Sequence, residues 1–219
     1  MPMKKIFMFC LFAAIAVSCN DSPPVQQTTY TGSQKEAILN NILTRRSIRK
    51  YTTQQVSKAQ IDTIMKSAIY APSALNKQPW EVRVVQNPEI LKEINQRFLN
   101  FAEGKEFQGS AAHYKEPGFS IFHNAPTLIV IARDKSSDIS YLDSGIILQN
   151  ILLSSHAIGL GTCPLGTLVP ILNNPDNKDI LELLNIPDGY EVAINISLGY
   201  PAEAPVAPKR FAQKVKIIE

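Results

Sequence analysis

The sequence predicts an α+β domain, and three observations carry that reading. Two Ser-x-x-Glu/Gln capping boxes, at Ser33–Glu36 and Ser57–Gln60, each open a run with apolar residues at helical spacing. Separate β-rich runs lie at 81–86, 127–132 and 190–198. The helical and extended segments do not alternate as regular βαβ units, which favours layered α+β packing over a parallel doubly wound sheet.

The elements follow in chain order. Ile38, Leu39, Ile42 and Leu43 mark one face of a first helix, and Ile61, Ile64, Met65, Ala68 and Ile69 one face of a second that Pro72 stops. Glu81–Gln86 (EVRVVQ) reads as a strand. Asn87-Pro88 then caps a third helix carrying Ile90, Leu91, Ile94, Phe98 and Phe101, which Gly104 ends. Lys105–Asn124 has no clean period and is compatible with a lid or a poorly patterned helical excursion. Thr127–Ala132 (TLIVIA) reads as a central strand buried on both faces. Tyr141–Ile158 is apolar on nearly every side, as in a helix at a core or subunit interface. A short helix near Ile180–Leu184, a strand at Tyr190–Leu198 and an extended tail from Ala202 to Glu219 complete the chain.

The N-terminus reads as an export signal over residues 1–18. Lys4 and Lys5 precede the apolar run Ile6–Val17, and Ala16-Val17-Ser18-Cys19 resembles the lipobox of bacterial lipoproteins, whose cysteine is lipidated. Ordinary cleavage near Ala16 is the alternative. Residues 19–33, rich in Pro, Gln, Thr and Ser, read as a flexible tether, and residues 34–219 as the folded domain. The expected location is therefore the cell envelope, with Cys19 as the lipid anchor. Cys163 is the one cysteine left to the domain, so the domain forms no internal disulfide. Loss of Lys4 and Lys5 takes the net charge from +3 to +1, which gives no reason to propose nucleic acid as a partner.

Three segments are suited to holding a ligand. Arg45-Arg46-Ser47-Ile48-Arg49-Lys50 offers four cations and a hydroxyl, a phosphate clamp or else a solvated basic turn. Pro72-Ser73-Ala74-Leu75-Asn76-Lys77-Gln78-Pro79-Trp80 offers two amides that both donate and accept, suited to a heteroaromatic edge or else a structural loop. Gly159–Gly166 (GLGTCPLG) offers small residues that let backbone approach a flat ligand, or else a glycine C-cap and turn.

Together these segments resemble the nitroreductase family. RRSIRKY resembles its R-x-S-x-R-x-[FY] signature, PSALNKQPW its P-S-x-x-N-x-Q-P-W signature, and GLGTCPLG the turn that covers the flavin. IPDGYEVAINISLGYPAE resembles the family strand ending in G-Y-P, and Lys209-Arg210 stands where the family has a basic pair. Pro164 replaces a residue that is often bulky, and the basic pair is adjacent rather than split. The resemblance implies a central, mostly antiparallel sheet and a homodimer that exchanges its C-terminal tails. It also implies two FMN sites at the dimer interface. Arg45, Arg46 and Ser47 would line the phosphate and ribityl chain, with Lys209 and Arg210 near the phosphate, and Arg49 would face the pyrimidine. Pro72, Ser73, Asn76 and Gln78 would come from the other subunit, and Pro164, Leu165 and Gly166 would back the ring.

The implied activity is electron transfer from NAD(P)H, or from an envelope redox donor, to nitroaromatics, quinones or similar small flat acceptors. A flavin-binding lipoprotein without turnover and a specialised relative such as a reductive dehalogenase are the alternatives. Flavin carries its own chemistry, so the protein need supply only binding, orientation and electrostatics, and no catalytic side chain is assigned. His113, His123 and His156 read as non-ligands, and Cys163 as a small packed residue.

Overall fold

A computed structural model describes residues 33–219; the signal, Cys19 and nearly all of the tether fall outside them. The domain contains a four-stranded sheet, β1 (Trp80–Val85), β2 (Thr127–Asp134), β3 (Gly161–Leu165) and β4 (Tyr190–Gly199), in the order β1-β2-β4-β3. Every pairing within it is antiparallel. The helices are α1 (Gln34–Thr44), α2 (Lys58–Ala68), α3 (Pro88–Ala102), α4 (Ser140–Ala157), α5 (Val169–Leu172) and α6 (Lys178–Leu183).

Both predicted capping boxes form. The Ser33 hydroxyl accepts from the Glu36 amide and the Glu36 carboxylate from the Ser33 amide, and Ser57 and Gln60 repeat the pattern at α2. Asn87 caps α3 through its side chain, with Pro88 in the first turn where no N–H is needed.

The two faces of β2 organise the core. Leu128, Val130 and Ala132 point into one cluster with Leu91, Ile94 and Phe98 of α3, Ile171 and Leu172 of α5, and Ile180 of α6. Ile129 and Ile131 point the opposite way, against Ile64 and Ala68 of α2 and Ile147 and Ile151 of α4. This is the period of two expected of a strand between two helical layers. Lys105–Asn124 resolves into a packed excursion with a 3-10 turn at Gly109–His113. Phe107 contacts Phe98, Phe101 and Tyr114, and Ala111, Ile121 and Phe122 are buried, so the segment closes the α3 side of the core.

One expectation needs correction. GLGTCPLG is not a turn: its Gly161–Leu165 portion is strand β3, paired from Gly161↔Gly199 to Leu165↔Asn195. A proline fits there because β3 is an edge strand, where a missing N–H breaks no inner ladder. Helix α4 carries apolar side chains on both its packed and its open side, as its sequence indicates. It buries Ile147, Ile151 and Leu152 and leaves Tyr141 and Leu142 exposed.

The outer edge of β3 takes up the chain after α1. Ser47 forms a parallel bridge with Thr162, and the Ile48 amide donates to the Thr162 carbonyl at 2.9 Å. Close approach requires Gly161, since a Cβ there would lie 2.7 Å from Ile48 Cγ1 and 2.9 Å from its Cβ. Gly161→Ala should therefore cost about 1–3 kcal/mol in denaturant unfolding. Gly166→Ala, with nothing within 4 Å, should change stability by less than about 0.5 kcal/mol.

Candidate functional site

The segment Arg45–Thr52 is stitched between β3 and the chain leaving β4. Beyond its contacts with Thr162, the Thr52 amide donates to Tyr200 O and the Ala202 amide to Lys50 O, each about one normal hydrogen bond long at 3.0 and 2.9 Å. Tyr51 hydroxyl donates to Ile48 O at 2.6 Å, and burial pushes its pKa well above the ordinary tyrosine range, so it stays a neutral donor. Glu203 accepts from the Arg49 amide and pins the start of the tail to this segment.

Arg45 is the electrostatic anomaly. Its Nη1 is buried without a hydrogen-bond partner, and no salt bridge engages it among the described residues. Burial first, then Arg46 and Arg210, lowers its pKa, against an opposing pull from Cys163. A half-buried guanidinium with one nitrogen shut from water and other cations beside it carries a cost that an anion would relieve. An oxyanion such as a phosphate fits that demand, because it accepts paired charge-assisted bonds from the planar donor fork.

The neighbouring candidates divide. Arg46 Nη1 donates to Leu43 O at 2.7 Å and to Arg45 O at 2.8 Å, so it also closes the end of α1. Arg210 is close enough to act on Arg45, whereas the Lys209 ammonium lies 5.8 Å above the Phe211 ring. Ser47 and Arg49 lie beside the buried Cys163, whose thiol burial pushes upward while Arg49 and then Ser47 pull it down. A thiol so raised is a packed neutral group rather than a nucleophile. Pro164 is half-buried, Leu165 buried and Gly166 exposed, at the end of β3.

The second candidate segment is elsewhere. Ser73 Oγ accepts from the Gln78 amide at 2.9 Å and Gln78 Nε2 donates to Asn76 Oδ1 at 3.3 Å, which folds Pro72–Gln78 into a compact loop. Leu75, Asn76 and Gln78 hold positive φ of 53°, 53° and 48°. Asn tolerates this region, but Leu does so only under strain, and Leu75 is also 88% exposed. The loop is anchored from below by Asp143, which is 2% exposed and accepts from the Ala74 amide at 3.3 Å. Sequence reasoning passed over Asp143, although it is the one acid in the apolar run of α4.

This loop leads into β1, the sheet edge opposite β3. Three strand spacings separate the two edges, about 14 Å. Trp80 is level with Arg133 and Glu191, whereas Gly161 is level with Gly199, roughly 25 Å further along β4. No hydrogen bond joins Arg45–Arg49 to Pro72–Gln78 among the described residues. Within one chain the first and third segments meet and the second stays apart.

Sequence reasoning passed over Glu203 as well, and it read His156 as a non-ligand without seeing what it touches. His156, on the last turn of α4, lies 3.0 Å from Thr44 Oγ1 and beside Arg45 and Arg46. Only the packing of α1 on α4 brings it there, so its position in the sequence carries no signal.

Comparison with known proteins agrees with this architecture. The nitroreductase family model matches residues 42–200. An NADH dehydrogenase/NAD(P)H nitroreductase from Archaeoglobus fulgidus is 35% identical over 173 residues, covering 77% of this chain and 87% of the relative. An FMN-dependent nitroreductase from Clostridium difficile superposes with a TM-score of 0.70 at 33% identity, covering 84% of this chain and all of that one. A nitroreductase with bound FMN from Desulfitobacterium hafniense gives a TM-score of 0.77 at 27% identity, covering 84% and 98%. The chain belongs to the nitroreductase family.

Proposed function

We propose that this chain is an FMN-dependent NAD(P)H oxidoreductase whose flavin site is completed by a second copy of the same chain. The observation that carries the reading is the buried Nη1 of the half-buried Arg45 guanidinium, left without a hydrogen-bond partner at the end of α1 beside Arg46 and Arg210, with Arg49 reaching the same Cys163. A flavin mononucleotide supplies the phosphate this cluster lacks and a flat ring for the small-residue surface along β3. When bound, flavin accepts hydride at its N5 and passes electrons on.

The protein's part is binding and electrostatics. Arg45 and Ser47 hold the phosphate end with Arg210, while Arg46 and Lys209 add positive charge around it. Arg49 directs positive charge toward the pyrimidine, where reduction develops negative charge. Pro164, Leu165 and Gly166 back the ring. Pro72, Ser73, Asn76 and Gln78, stranded at the far sheet edge, reach the ring from the partner subunit. Several exposed apolar groups support a second copy: Ile38, Leu39, Ile42 and Leu43 of α1, and Val206, Phe211, Val215, Ile217 and Ile218 of the tail. Small flat acceptors, nitroaromatics and quinones among them, suit a site whose open face is that of the flavin ring.

The N-terminal reading adds a location. Cys19 in its lipobox-like context would tether the enzyme to the envelope membrane, where NAD(P)H is scarce. A membrane or envelope redox partner would then replace NAD(P)H as the working donor, with NAD(P)H still accepted by the purified enzyme.

FMN titration of apoprotein tests the site. One FMN per chain should bind, and Arg45→Ala should weaken it about ten- to a hundredfold, the worth of one charge-assisted bond. Riboflavin, which has no phosphate, should bind the variant and the parent alike. Equal FMN affinity in parent and variant would remove Arg45 from the site. In the native host, Cys19→Ala should abolish labelling by a fatty-acid probe and leave FMN binding intact; labelling that persists would return the N-terminus to ordinary signal cleavage.

A further inference from the structure

Helix α1 buries none of its residues, yet it delivers Arg45 and Arg46 to the cation cluster. Two side-chain contacts tie its last turns to α4. Asn41 Nδ2 donates to Leu153 O at 3.0 Å, and Thr44 Oγ1 lies 3.0 Å from His156 Nε2. Thr44 spends its own proton on Asn40 O, at 2.7 Å, so it accepts from the ring. That assigns the proton to His156 Nε2 and leaves Nδ1 as the site that titrates.

From this geometry we infer that His156 is a positioning residue for phosphate recognition, holding Arg45 through Thr44 and tightening phosphate-ester binding as pH falls. The inference rests on the FMN reading above. The charges acting on the half-buried ring are those of Arg45 and Arg46, carried on the segment that follows α1. Thr44 is its neutral contact from α1, and Arg210 of the tail joins the same group through Arg45. Among the described residues no carboxylate offsets these charges at His156.

Burial, then Arg45 and Arg46, therefore lowers the His156 pKa in the ligand-free protein. A bound phosphate dianion next to the two arginines opposes that repulsion and raises the imidazole's proton affinity. The pKa is then higher in the complex, so binding takes up a proton. The contribution to affinity is fully present below the free-state pKa and is lost as pH rises through the bound-state value. The Nε2–H bond to Thr44 persists in both protonation states, so the clamp itself does not open.

The test measures FMN and riboflavin dissociation constants from pH 5.5 to 8.5 for the parent and for His156→Gln, which keeps an amide donor near Thr44. Phosphate protonation, at about pH 6, affects both proteins and cancels in their ratio. The FMN affinity ratio of parent to variant should rise about three- to tenfold from the alkaline to the acid end, since one pKa unit corresponds to tenfold. The riboflavin ratio should stay flat. In the parent, an NMR titration should place the His156 pKa higher with FMN than with riboflavin, a readout that needs no variant. A flat FMN ratio, a riboflavin ratio with the same slope, or an unmoved imidazole pKa would overturn the inference. A parent that binds neither flavin would instead remove the FMN reading beneath it.

Discussion

The Arg45 guanidinium is half-buried among cations, with its Nη1 shut away from solvent and lacking a hydrogen-bond partner, and the backbone that follows it is held firmly in place. Gly161 admits Ile48 against β3, the Ser47–Thr162 bridge fixes the backbone, and Glu203 draws the tail in over Arg49. None of these contacts neutralises the charge. A bound oxyanion would supply the interaction that this segment lacks, which is the role proposed above for the flavin phosphate.

The ring end poses the opposite problem. The loop with the amide groups, Pro72–Gln78, is rigidly held by Ser73 and Asp143 but belongs to the other edge of the sheet. A four-stranded sheet between helical layers cannot bend these edges together without losing the packing of Ile129 and Ile131 on α2 and α4. A second chain, as proposed above, would resolve the geometry, and it would also cover the apolar side chains that α1 and the tail leave exposed. Leu75, strained and exposed in the isolated chain, belongs to the same picture.

Much of this fold was legible because it rests on short-range spacing. The capping boxes at Ser33 and Ser57, the Asn87-Pro88 helix start and the double-sided burial of Thr127–Ala132 are written within a few residues of one another. Strand β3 was not legible: five residues with a glycine and a proline carry no period, and only the ladder to β4 makes them a strand. The aromatic packing of Lys105–Asn124 likewise depends on Phe98, which lies on another element. In the site, the basic run and the amide loop were visible as motifs. The roles of Asp143, His156 and Glu203 were not, because each reaches its partner across a distance of sequence that no spacing rule spans. The sequence could offer Lys209 and Arg210 as a pair, but only the tail's path selects Arg210 as the neighbour of Arg45.

Serial dilution of the FMN-loaded protein shows whether one flavin site is built from two chains. Mass photometry would follow the dimer fraction while recovery of flavin fluorescence follows FMN release. FMN should leave over the same concentration range in which dimers dissociate, with no monomer retaining FMN, because each monomer keeps the phosphate cluster and loses the partner's Pro72–Gln78 loop. Monomers that hold FMN as tightly as the dimer would contradict the account.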